Sequence, residues 1–172
     1  MAIIFKNFKM KVLNAGPIFL LYYLSISEVD TQFSNLFEIL SFNLQLIIIY
    51  YWMLRDEEIL GTGHIFFAGI INDVVVGIPL GVSSFCYLIL CSVTAYIRNI
   101  TLTPNFVKDW FSFLFTLILI NSIQVIILDL IFLIEISYIS YLINSSFTFL
   151  FYPIFFILFN FLNQSISAKQ ND

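Results

Sequence analysis

The chain has 172 residues, of which 60% are hydrophobic and only 10% are charged, and its formal net charge is -4. A soluble domain needs a polar surface around its core, so this composition excludes a soluble enzyme and a soluble protein with one membrane anchor. The seven Lys and Arg residues are too few to form a nucleic-acid-binding surface. We therefore expect an all-α integral membrane protein, with a single transmembrane domain over residues 1–172.

Six apolar segments follow one another along the chain, each close to the ~20 residues that a membrane-spanning helix needs. The predicted spans are about residues 8–27, 36–54, 59–78, 80–97, 109–131 and 139–162. The first span has a basic start but no cleavage motif at its end, so we interpret it as a retained signal anchor. The second span ends in Tyr50, Tyr51 and Trp52, an aromatic cluster that is typical of a membrane interface.

The basic residues predict the orientation of these spans. If the N-terminus is cytoplasmic, every Lys and Arg lies on the inner side, and the outer loops carry only acidic charges. The basic topology anchors are Lys6, Lys9, Lys11, Arg55, Arg98 and Lys108, followed by Lys169 in the tail. Cytoplasmic loops are enriched in Lys and Arg, so this pattern predicts six spans with both termini in the cytoplasm. In a five-span alternative, residues 59–78 only dip into the membrane, and Arg98 and Lys108 would lie outside.

The third span is unusual, because five of the six glycines of the chain fall between residues 61 and 81. Gly69, Asp73 and Gly77 are four residues apart, so they are predicted to share one helix face, where small residues allow close packing in lipid. An aspartate in a membrane helix is costly unless it finds a partner. Two interpretations remain open: a substrate, proton or partner site, and an interhelical hydrogen bond that fixes the packing. Candidate partners of Asp73 are Ser83, Ser84, Tyr87, Asn121 and Gln124.

The remaining polar residues indicate packing rather than chemistry. Asn43, Gln45, Asn121 and Gln124 are predicted to form hydrogen bonds between helices. Arg98 is placed to reach inner-leaflet headgroups. The two cysteines, five residues apart on one helix, point away from each other and are interpreted as packing residues. With one histidine and no Cys/His cluster, we expect no metal ion, no cofactor and no catalytic triad.

The centre of the chain carries a specific order of residues. It comprises Tyr51-Trp52, Gly61, the segment Phe67-Ala68-Gly69-Ile70-Ile71-Asn72-Asp73, the turn Gly77-Ile78-Pro79-Leu80-Gly81 and, in the last span, Tyr152-Pro153. This order resembles the MreD family of rod-shape-determining proteins, whose members have an F-x-G-L-L-x-D segment followed by a P-L-G turn. Asn72 stands where that family varies. The resemblance makes Gly69, Asp73, Gly77, Pro79 and Gly81 the candidate helix-packing or partner-site residues.

The resemblance implies a non-enzymatic subunit of the complex that directs side-wall peptidoglycan synthesis in the bacterial inner membrane. The implied partners are MreC, the MreB filament, a RodA-type glycosyltransferase and a class B penicillin-binding protein, within the lipid bilayer. The family is also similar in fold to the S components of energy-coupling vitamin transporters. That similarity implies six helices around a small central cavity, with Asp73 and the Pro79 turn near its outer mouth.

Two other functions compete with this interpretation. A substrate-binding S component of a vitamin transporter would need polar and aromatic residues that converge on an outer pocket, and the outer loops are short and poor in them. A membrane enzyme that acts on lipid would need clustered acids at the interface. Asp56-Glu57-Glu58 is the only acidic run, and a solvated inner loop explains it better.

Overall fold

The structure is a computed structural model that describes residues 2–27, 43–101, 105–134 and 137–168, with side chains described between residues 15 and 163 of these ranges. Over this part of the chain the fold is all-helical, which confirms the predicted class. The helices are α1 (Ala2–Ser27), α2 (Leu44–Arg55), α3 (Glu57–Leu60), α4 (Thr62–Val76), α5 (Val82–Ile100), α6 (Phe106–Ile126) and α7 (Tyr138–Ala168). α6 continues as a π-helical turn over Ile127–Ile131.

Helices occupy most of the described part of every predicted span. Two of them, Phe106–Ile131 and Tyr138–Asn163, are long and apolar enough to cross a membrane, whereas α2, α4 and Ala15–Ser27 are apolar but shorter. Several predictions lie outside the described residues: the first half of the second span over residues 36–42, the outer acidic residues Glu28, Asp30 and Glu135, the side chains of Lys6, Lys9 and Lys11, and Lys169. The six-span arrangement and both cytoplasmic termini therefore stay predictions.

α2 lies at the centre of the bundle. Each of its residues from Gln45 to Met53 is buried, as expected for a helix that is apolar all round and enclosed by other helices. α5 packs along one side of α2, while α1, α3 and α7 also contact it. α4 packs mainly on α5, and α6 joins α5 to α7.

The aromatic cluster at the end of α2 belongs to this core, so its rings face neighbouring helices rather than lipid. Tyr50, Tyr51 and Trp52 are each at most 1% exposed. The Tyr50 ring packs on those of Phe113 and Tyr152, 5.0 and 5.8 Å away between centroids, and its hydroxyl donates to a backbone carbonyl on α6. The sequence places these rings near a charged loop, but packing against α6 and α7 buries them.

α6 and α7, unlike the buried α2, form an outer surface of the bundle. Large apolar side chains on these helices point away from the protein, among them Phe115, which is 72% exposed, and Ile157, which is 69% exposed. An apolar surface of this kind fits lipid or a membrane partner and would be unfavourable in water.

The third predicted span is not one continuous helix. It is broken at Gly61, whose φ of +62° is the left-handed conformation that glycine adopts most easily. The Asp56 side chain accepts a hydrogen bond from the Glu58 amide and starts the short helix α3. α4 then runs only to Val76 and ends at Gly77. The helical part of this segment is thus shorter than residues 59–78.

Candidate functional site

The Asp73 carboxylate lies on the last turn of α4 and is fully buried. One of its oxygens accepts a hydrogen bond of 2.7 Å from the Gly81 amide, and the other accepts one of 2.9 Å from the Ser83 amide. Both donors belong to the start of α5, where backbone N–H groups have no partner within the helix. The carboxylate also meets the positive end of the α5 dipole. Asp73 therefore caps a helix that is not its own.

This contact corrects the predicted partners of Asp73. The sequence suggested hydroxyl and amide side chains, including those of Ser83 and Ser84, but the carboxylate binds backbone N–H groups. Helical spacing in the sequence indicates which side chains can lie near Asp73. It does not show that the turn before α5 brings two backbone N–H groups to the carboxylate. The arrangement supports the packing interpretation, because both carboxylate oxygens are already engaged.

The turn from Gly77 to Gly81 makes this geometry possible. Gly77 and Gly81 both have positive φ, +76° and +98°, and the Gly77 amide donates to the Asp73 carbonyl, 3.0 Å away. Within the turn, the Val82 amide donates to the Pro79 carbonyl at 3.4 Å. In the described part of the chain, no atom beyond the adjacent residues lies within 4 Å of where a Gly77 Cβ would stand, so the close packing predicted at this residue is wrong. Gly77 ends α4 through its left-handed conformation instead.

Gly69 lies where the backbones of α4 and α5 approach each other closely. A Cβ atom at this position would lie only 2.5 Å from the Ser84 Cα atom and 2.6 Å from its backbone nitrogen. The Ser84 hydroxyl donates to the Phe66 carbonyl at 3.0 Å, which ties the two helices together at the same level. Small residues at a helix crossing allow such contacts and bring the backbones within reach of hydrogen bonds.

Asn72 extends the site to the central helix. Its side-chain oxygen accepts a hydrogen bond of 2.9 Å from Gln45 of α2, and its amide nitrogen donates to the Ser83 hydroxyl at 3.2 Å. The Tyr87 hydroxyl in turn donates to the side-chain oxygen of Gln45. All of these side chains are buried, so α2, α4 and α5 share one polar network. The predicted interhelical role of Gln45 is confirmed.

A cavity of about 300 Å³ adjoins this network between α2, α4, α6 and α7. Five side-chain amides line it, those of Asn43, Asn72, Asn121, Gln124 and Asn144. Ser140 and Tyr141 also line it, and among the described lining residues none is charged. Asn121 reaches α7 through a hydrogen bond of 2.6 Å to Ser145, so its predicted interhelical role is confirmed as well.

Charged residues collect at the other end of the bundle. Arg55 at the end of α2 lies 3.5 Å from the buried carboxylate of Asp109 at the start of α6. Arg98 at the end of α5 forms an ion pair of 2.6 Å with Glu57 and donates to the Met53 carbonyl. The guanidinium of Arg98, which was predicted to reach lipid headgroups, thus links α5 to the start of α3 and to the α2 backbone. Lys108 is exposed.

The sequence missed Asn72 as a site residue because it stands next to the motif aspartate at a variable family position. A signal was present: Asn72 and Asp73 are consecutive polar residues in an apolar helix, and Gln45 is a second amide in the preceding one. The two cysteines are buried and unpaired, as predicted. In the part of the chain that the structure describes, no three potential metal-ligating side chains come together.

The apolar outer surface and the two long apolar helices of the described residues are typical of an all-helical membrane protein. The family model of the rod shape-determining protein MreD matches residues 9–162, so the chain belongs to the MreD family. Membership of this family implies a role in determining rod shape. Its members are structural proteins and are not known enzymes. Neither the search of curated proteins nor the search of solved structures finds a match.

Replacement of Asp73 by asparagine is expected to lower the free energy of unfolding by about 2 kcal/mol. The amide keeps one acceptor, but its NH₂ group faces a backbone donor that then loses its partner. The matched control is Asp129→Asn, which should cost less than about 1 kcal/mol, since the hydrogen bond that Asp129 accepts within the described residues comes from the exposed Tyr138. Chemical unfolding in detergent micelles measures both, and equal losses would contradict the capping role.

Replacement of Gly69 by alanine is expected to destabilise the protein by about 1–3 kcal/mol, because the new methyl group would force α4 away from the Ser84 backbone. Gly63→Ala is the control on the same helix. Outside its own helical turn, no described atom lies within 4 Å of a Cβ at Gly63, so alanine there should be neutral or stabilising through its better helix propensity. Thermal unfolding measures the stability of both variants. A Gly69→Ala protein as stable as Gly63→Ala would contradict the close contact between Gly69 and the Ser84 backbone.

Proposed function

We propose that this protein is a non-enzymatic scaffold of the inner membrane that binds MreC and links MreB filaments to the peptidoglycan synthases of lateral wall growth. Membership of the MreD family supports a shape-determining role. The single observation that supports a scaffold is that the buried acid, Asp73, has both oxygens bonded to backbone amides. Its geometry therefore stabilises a helix start rather than transferring protons.

The surface available to membrane partners lies on α6 and α7. These helices bury a minority of their apolar residues within the protein and direct bulky side chains outward. The α4–α5 pair holds the bundle in one geometry through Gly69 and Asp73, and an outer helix face then docks the single-span MreC. RodA-type and class B penicillin-binding partners join the same assembly.

The orientation that we propose has six spans and both termini in the cytoplasm. Arg55 and Arg98 lie at one end of the bundle, and the Asn72 network and the Pro79 turn lie towards the other. This distribution supports the positive-inside assignment of the charged end to the cytoplasm.

A reporter enzyme that is active only outside the inner membrane tests this orientation. Fused after Asn99, at the end of α5, it should be inactive, and fused after Leu80, in the turn before α5, it should be active. Activity at Asn99 would contradict six spans and favour the five-span alternative.

The partners are tested by affinity purification from bacterial membranes in mild detergent, followed by mass spectrometry. MreC and a class B penicillin-binding protein should be recovered. Gly69→Leu, which forces α4 and α5 apart, should lower the recovery of MreC, whereas Gly63→Leu at equal membrane abundance should retain it. Unchanged recovery with Gly69→Leu would remove the α4–α5 contact from the account.

The amide-lined cavity favours one second candidate, the substrate-binding S component of a vitamin transporter. The two functions differ in the outcome of depletion. Cells that lose a shape-determining subunit become round, whereas cells that lose an S component require a vitamin. Recovery of an energy-coupling ATPase pair in the affinity purification would support the second candidate and overturn the first.

A further inference from the structure

The cavity between α2, α4, α6 and α7 has a chemical character that the scaffold role does not explain. Side chains in a membrane bundle are mostly apolar, yet among the described residues that line this space seven are polar and two, Val76 and Ile78, are apolar. Its volume of about 300 Å³ could hold roughly ten water molecules and lies at the lower end of the range for ligand sites.

The lining selects a ligand class. Each asparagine or glutamine offers two N–H donors and a carbonyl acceptor. A charged ligand would lose its hydration without meeting an opposite charge, since none of the described lining residues is ionised. An apolar ligand would leave amides without partners. A neutral group that both donates and accepts hydrogen bonds, as a hydroxyl does, satisfies these side chains.

Some of this polar capacity is already used by the protein. Asn72 is bonded to Gln45 and Ser83, and the side-chain oxygen of Asn43 accepts the Leu46 amide to begin α2. In contrast, Gln124 forms no side-chain hydrogen bond with the described residues, although it is partly buried and borders the cavity. Gln124 is therefore the amide that a ligand would engage most directly.

We propose that this cavity binds an uncharged, hydroxyl-rich group, such as a sugar ring or a glycerol unit. Ser140, exposed at the start of α7, lies at its edge, and Asn72 forms its inner wall. The ligand is either a lipid headgroup in the surrounding leaflet or a free solute, because both present the same hydroxyl chemistry.

The test uses the full-length protein in phosphatidylcholine nanodiscs, which leave both membrane faces open. Two probes are compared: monoglucosyl diacylglycerol within the disc, against unglycosylated diacylglycerol, and methyl glucoside dissolved in the buffer. At a probe concentration well above its dissociation constant, binding should raise the melting temperature by about 3 °C or more. A shift with the lipid alone identifies a headgroup site, and a shift with methyl glucoside identifies a solute site.

Three variants connect the shift to the cavity. Gln124→Leu should reduce it by at least half, and Ser140→Trp, which fills the edge of the cavity, should abolish it. Asn99→Leu, a matched amide substitution at the exposed end of α5, should retain it. Absence of a shift with both probes, or an undiminished shift in Gln124→Leu and Ser140→Trp, would overturn the proposal. Neither result would bear on the scaffold role, which is read from the recovery of MreC.

Discussion

The buried Asp73 carboxylate and the first backbone amides of α5 each need the other. A carboxylate in a membrane interior costs several kcal/mol unless its charge is satisfied. The start of a helix likewise exposes N–H groups that lipid cannot bond. The distances of 2.7 and 2.9 Å to Gly81 and Ser83 resolve both problems in one contact. Most other features of the site follow from the position that this contact gives to α5.

With α5 fixed at its start, the crossing at Gly69 brings the Ser84 backbone against α4, and Asn72 can reach Ser83. The second bond of Asn72, to Gln45, attaches the central helix α2 to this pair. Ion pairs between side chains hold the opposite end of the bundle together, one between Arg55 and Asp109 and one between Arg98 and Glu57. The bundle thus has an amide end and a charged end, separated by an aromatic and aliphatic core.

Much of this could be predicted from the sequence. Hydropathy placed the helices, and the cost of a charged group in lipid singled out Asp73. The prediction that Gly77 packs closely against another helix was wrong, because helical periodicity cannot show that α4 ends at this residue. At the helix end, Gly77 adopts a left-handed conformation instead of packing. The sequence could not show the packing partners of Tyr50, Tyr51 and Trp52, since an aromatic cluster beside charged residues has the same pattern whether it faces lipid or a neighbouring helix.

The family resemblance implied a small central cavity, but residue spacing could not predict its amide lining, because these side chains come from four segments that are far apart in the chain. The sequence did show Asn43, Asn121 and Gln124 as polar residues in apolar segments, but it offered no reason to group them. Their convergence depends on how α6 and α7 pack beside α2. The same packing leaves the outward faces of α6 and α7 apolar and available to lipid or a membrane partner.

Hydrogen exchange at the start of α5 tests the central claim most directly. In nanodiscs, NMR should find the Gly81 and Ser83 amides as strongly protected as amides within α5, and Asp73→Asn should remove protection from at least one of them. Rapid exchange of both amides in the unaltered protein, or full protection that persists without the carboxylate, would contradict the account in which Asp73 holds α5 in place.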